Sequence, residues 1–134
     1  MPYYPASFPA KMEQVSFVDQ TGFNVHKVTM AIHHGTHVNA PRHLSNQGRF
    51  LEDLDLNRFI GEGFVLNLSF KEIGSGIAAK GLEKFSDLVR SGDIVILYTG
   101  CSNHLGESWV TSRYTYLEKT GAEWLVQKNL NLWA

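Results

Sequence analysis

The segment Ile94-Val95-Ile96-Leu97-Tyr98 constrains the fold more than any other part of the chain. Its residues are β-branched, aliphatic or aromatic, and the preceding helical pattern ends at Ser91-Gly92-Asp93. Such a run predicts a core β-strand. A second apolar run at residues 63–68 predicts another buried strand, and residues 23–32, rich in Val, Phe, Thr and Ile, predict a third.

Helical patterns separate and follow these strands. Residues 80–90 bring four apolar side chains onto one helical face, and residues 121–128 predict a second helix with Trp124 and Leu125 turned inward. Thr120 and Glu123 fit a capping box at its start. This order of elements predicts an α/β protein with a mixed-sheet, layered fold. The first helix would bury the side chains Leu82, Phe85, Leu88 and Val89.

The end of the chain predicts an unfinished sheet. Residues 130–133 look like the opening of a further strand, because a helix after a core strand usually returns the chain to the sheet. We therefore expect the domain to be incomplete at its C-terminus. A frayed terminus is the alternative reading of the same residues.

Length and charge narrow the function classes. The 134 residues suit one domain, residues 1–134, and a net charge of -1 gives no reason to expect nucleic acid or a membrane surface as partner. No apolar run approaches the roughly 20 residues of a membrane span, and residues 1–5 lack the features of a signal peptide. A single cysteine, Cys101, excludes an internal disulfide. With no targeting segment recognised, the cytoplasm is the default location.

Residues 33–43, with the sequence HHGTHVNAPRH, are the strongest candidate for a functional site. Imidazole is the commonest protein ligand for zinc and related metals. A turn at Gly35 can direct His33 and His37 toward one ion, and Pro41 stiffens the approach to His43. A further histidine beside such a pair is placed to transfer protons. Clustering alone leaves a purely structural role open.

The same segment resembles the motif H-x-G-T-H-x-D-x-P-x-H of the metal-dependent cyclase family, which includes bacterial kynurenine formamidases and isatin hydrolases. Six of its seven fixed positions are met, and Asn39 stands where the family has aspartate. The similarity continues through residues 53–61, through residues 92–100 ending in Thr-Gly, and through residues 122–125. The chain is therefore identified as a member of this family, with a swivelling β/α fold that is incomplete at its C-terminus and, we expect, at its N-terminus.

The resemblance implies a chemistry. His33, His37 and Asn39 would occupy the positions of metal ligands, with zinc preferred over manganese, and His43 would act as general acid or base. Known members hydrolyse amide-type bonds, such as that of N-formylkynurenine in tryptophan catabolism. The resemblance thus implies an arylformamidase-like hydrolase of a small-molecule substrate, in which His43 assists the attack of a metal-activated water.

Two departures from the family pattern put activity in doubt. Asn39 lacks the charge that balances a divalent cation, and the family's later histidine and glutamate ligands have no counterpart before Ala134. Three hypotheses follow: a working hydrolase, a non-catalytic remnant, and a chain whose metal site a partner subunit completes. An unpaired sheet edge favours a homo-oligomer.

The remaining candidates are weaker. His34 is expected to pack or to support the metal ligands from behind, and His26 is expected to lie at the surface or to be a hydrogen-bonded core residue. His104 follows a strand end, where sites of α/β proteins often gather. Cys101 is expected to be a small buried residue rather than a nucleophile. An aromatic wall for a ring substrate, or packing of the N-terminal arm, would account for Tyr3, Tyr4 and Phe8.

Overall fold

A computed structural model describes residues 8–107, 110 and 112–134. The chain divides into two compact units, Met1–Gly48 and Arg49–Ala134. Tyr3 and Tyr4 of the predicted aromatic wall lie outside the described residues, and Phe8 is exposed. In the part of the chain that the structure describes, no helix is long and apolar enough to cross a membrane.

The first unit contains an antiparallel pair of strands. Strand β1 (Lys11–Ser16) pairs with β2 (Val25–Thr29), and the short helix α1 (Val18–Thr21) connects them. Gly22 ends α1 in the left-handed conformation, with φ 83°, which glycine adopts without steric cost. The predicted strand 23–32 is confirmed only in its middle, because the turn at Gly22 and the irregular segment after Thr29 limit pairing. A 3-10 helix, Pro41–His43, follows.

The second unit is built on a three-stranded parallel sheet with the order β3-β5-β7. Its strands are β3 (Gly63–Asn67), β5 (Ile94–Tyr98) and β7 (Leu132–Trp133). The predicted strands at 63–68 and 94–98 are confirmed, and so is the strand predicted near the C-terminus. Short strands β4 (Gly76–Ile77) and β6 (Tyr116–Leu117) form a separate parallel pair.

The buried core belongs to the second unit. Leu66 and Val95 come from neighbouring strands of the sheet and are fully buried. The helix α3 (Lys119–Gln127) covers them with Trp124 and Leu125, which confirms the predicted inward face. The other buried apolar residues are Leu68, Ile77, Leu82, Val89 and Leu130.

The prediction of one continuous helix over residues 80–90 is wrong. Helix α2 spans only Ala79–Leu82, and the 3-10 helix Glu83–Phe85 continues it. The amides of Leu88 and Val89 both donate to the Phe85 carbonyl, which turns the chain tightly. This turn buries Val89 and leaves Leu88 45% exposed, so the four apolar residues do not share one helical face.

The capping box predicted at Thr120 and Glu123 is also wrong. Helix α3 begins at Lys119, after an extended Glu118 whose side chain makes no capping hydrogen bond. Thr120 therefore lies inside the first turn, and its hydroxyl accepts a hydrogen bond from the Ala79 amide at 3.3 Å. Residues 50–59, predicted as a short helix or packed loop, form two 3-10 helices, Leu51–Asp53 and Leu56–Phe59.

Candidate metal and proton-transfer site

The histidine motif lies in the irregular segment after β2 and on the 3-10 helix Pro41–His43. Gly35 adopts φ 67°, a left-handed conformation that reverses the chain between His33 and His37. Pro41 fixes the first position of the 3-10 helix, and Ala40 before it is extended, as the residue preceding a proline prefers to be. These local preferences set the path of the backbone between the three histidines.

The imidazoles of His33 and His37 meet through their ring nitrogens. The distance between His33 Nδ1 and His37 Nε2 is 2.7 Å, and the two rings lie edge to face. His37 Nδ1 lies 2.8 Å from the Gly35 carbonyl oxygen, which can only accept. His37 therefore carries its proton on Nδ1 and donates it to Gly35. In the neutral ring this leaves the lone pair on Nε2, which faces His33.

His43 joins the same cluster from the other side of His33. The two rings stack with centroids 4.5 Å apart and an interplanar angle of 27°. The structure thus brings together the three histidines that the sequence singled out. It leaves Asn39, an exposed residue, outside the contacts that join them.

Two facing imidazole nitrogens are suitable ligands for a divalent metal. Ligand nitrogens about 2.0–2.1 Å from a tetrahedral zinc are roughly 3.4 Å apart, so the observed 2.7 Å would have to widen slightly. The Gly35 carbonyl supplies the outer hydrogen bond that typically orients a ligating histidine. Among the described residues, no three His, Cys, Asp or Glu side chains form a group that could hold a metal. The motif therefore fits part of a metal site.

The stretch of sequence that contains the cluster has no acidic residue. No aspartate or glutamate occurs between Asp19 and Glu52, whereas Arg42 lies inside the motif and donates to the Asn46 carbonyl. An aspartate at position 39 would be the nearest carboxylate along the chain. The asparagine found there withholds the negative charge that would offset a divalent cation.

The other candidate histidines lie outside this cluster of ring contacts. His34 is partly buried, as expected for packing, and His26 is exposed on β2 opposite Gln14. His104, in the second unit, ends the 3-10 helix Cys101–His104, and its Nδ1 lies 3.0 Å from a Glu107 carboxylate oxygen.

Cys101 differs from its sequence-based expectation. It is only partly buried. Burial raises the pKa of its thiol, but hydrogen bonds from the Thr115 backbone and from the side chains of Thr99 and Thr115 outweigh that effect, and the pKa falls below its ordinary value of 9.0. Thr99 is visible as a sequence neighbour. Thr115 could not have been found from sequence, because only the fold brings it to Cys101.

The fold is that of an α/β protein, and its histidine motif brings three imidazole rings into contact. The model of the Cyclase family, described as "Putative cyclase", matches residues 1–134. The chain therefore belongs to the cyclase family.

Individual relatives agree with this assignment. The kynurenine formamidase of Bacillus thuringiensis (strain Al Hakam) is 37% identical over 83 residues, which cover 61% of this chain and 38% of the relative. The structure of isatin hydrolase A from Ralstonia solanacearum superposes with a TM-score of 0.77 at 18% identity, covering 93% of this chain and 55% of that one.

A third neighbour, described as a potential metal-dependent hydrolase with cyclase activity, gives a TM-score of 0.70 at 19% identity and covers 90% of this chain and 53% of that one. These superpositions confirm the predicted cyclase-type fold. The chain spans little more than half the length of these structures and less than two fifths of the B. thuringiensis relative.

Proposed function

We propose that this chain carries part of the active site of a metal-dependent hydrolase of amide-type C–N bonds, with N-formylkynurenine as the expected substrate. The observation that carries the proposal is the 2.7 Å approach of His33 Nδ1 to His37 Nε2 within a motif of the cyclase family. The names of the relatives, kynurenine formamidase and isatin hydrolase, support an amide or lactam carbonyl as the reacting group.

His33 and His37 would hold the metal, with zinc preferred over manganese, and Asn39 would offer its carbonyl oxygen as a third ligand. A divalent metal supplies a Lewis acid that polarises the substrate carbonyl and lowers the pKa of water. The hydrogen bond from His37 to Gly35 orients one ligand ring. His43 stacks against the ring of His33, which is one of the two proposed histidine ligands.

His43 is the proposed proton-transfer residue. Its ring lies 4.5 Å from that of His33, so it is adjacent to the ligand pair without belonging to it. It would take a proton from water as the oxygen bonds to the carbonyl carbon. It would return that proton to the amine nitrogen as the C–N bond breaks.

The neutral Asn39 should weaken this site, and restoring aspartate tests the proposal. We expect Asn39→Asp to raise zinc affinity about tenfold or more, because it adds a negative charge next to the cation. Asn46→Asp is a matched control that adds the same charge outside the ligand positions. Titration calorimetry with zinc and with manganese measures the affinities, and chromatography of formylkynurenine digests measures turnover.

The histidine variants complete the experiment. His37→Gln should abolish the binding that Asn39→Asp strengthens, and His43→Gln should reduce turnover while leaving metal affinity nearly unchanged. Equal zinc affinity in wild type, Asn39→Asp and His37→Gln would refute the site. Zinc binding without turnover in Asn39→Asp would instead support the non-catalytic alternative.

A metal site completed by a partner subunit is the second candidate. It is favoured because, among the described residues, no group of three His, Cys, Asp or Glu side chains could hold a metal ion. Dilution separates the two cases. A zinc affinity that falls when the protein is diluted enough to dissociate its oligomer supports a shared site, and an affinity that does not depend on protein concentration supports a site within each chain.

A further inference from the structure

Residues 41–48 form a closed loop that carries His43. The loop begins with the 3-10 helix Pro41–His43. The Ser45 amide donates to the Pro41 carbonyl at 3.2 Å, and the Gly48 amide donates to the Ser45 carbonyl at 2.9 Å. These two hydrogen bonds fold the loop back, so that its last residue returns to its first. His43 therefore lies on a segment whose two ends meet.

The ends of this loop meet at a contact that only glycine permits. A Cβ atom at Gly48 would lie 2.5 Å from the Pro41 carbonyl carbon and oxygen and 2.7 Å from the Arg42 nitrogen, whereas real Cβ contacts are essentially never under 3.0 Å. The φ of Gly48 lies outside the left-handed region, so glycine is needed here for space rather than for backbone freedom. The neighbouring atoms belong to the backbone, and no side chain can turn away to make room. A larger residue at position 48 must therefore move the Pro41–Arg42 peptide.

Arg42 spans the same loop with its side chain. Its guanidinium donates to the backbone carbonyl of Asn46. Arg42 directly precedes His43, and Asn46 lies near the end of the loop, so this hydrogen bond restrains the backbone beside His43. Because the acceptor is a backbone carbonyl, the bond does not depend on the Asn46 side chain.

The place of the His43 ring depends on this backbone. The His43 amide donates to the Ala40 carbonyl at 2.9 Å, next to the peptide that Gly48 contacts. His43 and His33 are both exposed, so their stacked rings are not enclosed by a packed core. Their 4.5 Å separation is therefore set largely by the path of the backbone. A shift of the peptide between residues 41 and 42 would move the His43 ring relative to His33.

We propose that Gly48 and Arg42 are positioning residues, which hold the His43 ring against that of His33. The inference rests on the proposed function for what His43 does, and on the loop geometry for how the ring is held. Gly48 acts through its close contact with the backbone, and Arg42 acts through its hydrogen bond across the loop. Misplacing a reacting group by about 1 Å can cost roughly a hundredfold in rate. The loop would therefore control proton transfer without altering the ligand pair.

NMR spectroscopy of the histidine rings in the full chain tests the positioning without any turnover. A stacked aromatic ring shifts the protons above its face upfield, and His43→Gln assigns the signals of His43 by removing them. These signals should move downfield in Gly48→Ala and in Arg42→Met, which lacks the donor. Arg42→Lys keeps a donor for the carbonyl and should restore the wild-type position. Gly61→Ala is the matched control, because a Cβ atom there would come no closer than 3.9 Å to atoms beyond its chain neighbours.

Kinetics and calorimetry then separate positioning from metal ligation. In the Asn39→Asp background, Gly48→Ala should lower kcat for formylkynurenine roughly tenfold to a hundredfold, because proton transfer is misaligned. KM and the zinc dissociation constant should stay within about twofold, because the loop does not touch the ligand pair. Arg42→Met should act in the same direction, and Arg42→Lys should recover most of the lost kcat.

The inference is overturned if the His43 ring protons keep their wild-type positions in both Gly48→Ala and Arg42→Met, or if Gly61→Ala moves them equally. It is also overturned if Gly48→Ala loses as much zinc affinity as His37→Gln, because the loop would then hold the whole motif. Far-UV circular dichroism checks folding, and Arg42→Met, which leaves the glycine contact intact, decides the matter if Gly48→Ala does not fold. Absence of hydrolysis in Asn39→Asp would count against the proposed function, whereas the NMR shifts would still decide whether Gly48 positions His43.

Discussion

Gly121 in the first turn of α3 offers a direct test of how this helix packs on β4. A Cβ atom at Gly121 would lie 2.2 Å from the Ile77 carbonyl oxygen and 2.9 Å from Leu117 Cδ1, whereas real Cβ contacts are essentially never under 3.0 Å. The Ile77 carbonyl also accepts the Glu118 amide at 3.0 Å, just before the helix begins. Gly121→Ala must therefore push α3 away from β4 and disturb this hydrogen bond.

The magnitude follows from two opposing effects. Alanine gains up to about 1 kcal/mol over glycine in a helix. Overpacking against a backbone atom costs about 1–3 kcal/mol. We expect Gly121→Ala to lower the free energy of unfolding by about 1–2 kcal/mol. Gly81 in α2 is the matched control, because a Cβ atom there would meet nothing within 4 Å, so Gly81→Ala should raise stability by up to about 1 kcal/mol.

Urea unfolding followed by tryptophan fluorescence and by far-UV circular dichroism measures both variants. Both substitutions replace a helical glycine with alanine. Changes of opposite sign in the free energy of unfolding would therefore be due to the close approach of α3 to Ile77. A Gly121→Ala variant as stable as the wild type, or shifts of the same sign in both variants, would refute the packing described for this helix.

Three further outcomes are expected. The pH dependence of Cys101 alkylation should give a pKa below 9.0, and Thr99→Val should raise that pKa. Because folding lowers this pKa, the thiolate stabilises the folded state fully above pH 9.0, and this stabilisation is lost as the pH falls through the pKa of the folded protein. Asp93→Ala should lower unfolding free energy by about 1–3 kcal/mol, because Asp93 is buried and accepts the Arg90 amide at 2.7 Å. Gly35→Ala should weaken zinc binding in calorimetry, because φ 67° strains other residues.

The sheet of the second unit could be predicted from sequence because its strands are nearly continuous apolar runs. Residues 94–98 are recognisable without knowledge of their partners, since five successive β-branched, aliphatic or aromatic residues after a turn are typical of a strand. The bounds and caps of the helices were harder to predict from sequence. Thr120 and Glu123 have the spacing of a capping box, but α3 starts at Lys119, and the Thr120 hydroxyl bonds Ala79 from a distant part of the sequence. A local pattern could not reveal that tertiary partner.

In the candidate site, too, features set by neighbouring residues could be predicted from sequence, and features that depend on residues distant in sequence could not. Gly35 and Pro41 act on their own neighbours, so the motif could predict that His33, His37 and His43 come together. The lowered pKa of Cys101 depends on Thr115, which is distant from it in sequence. Sequence reasoning was sufficient where glycine and proline set the backbone, and insufficient where the fold supplies the hydrogen-bond donor.

The contact between His33 and His37 also bears on what Asn39 changes. When both rings are neutral, His37 Nε2 accepts, and the 2.7 Å contact then requires the proton of His33 to lie on Nδ1. For His33 Nδ1 to serve as a metal ligand, that proton would have to lie on Nε2 of the same ring instead. The two rings are thus already oriented toward a common point by hydrogen bonds that need no acidic residue. An aspartate at position 39 would act chiefly through its charge and as an added oxygen ligand, and the ring geometry would form without it. The affinity gained by Asn39→Asp over Asn46→Asp therefore measures ligation at that position, apart from the general effect of one negative charge.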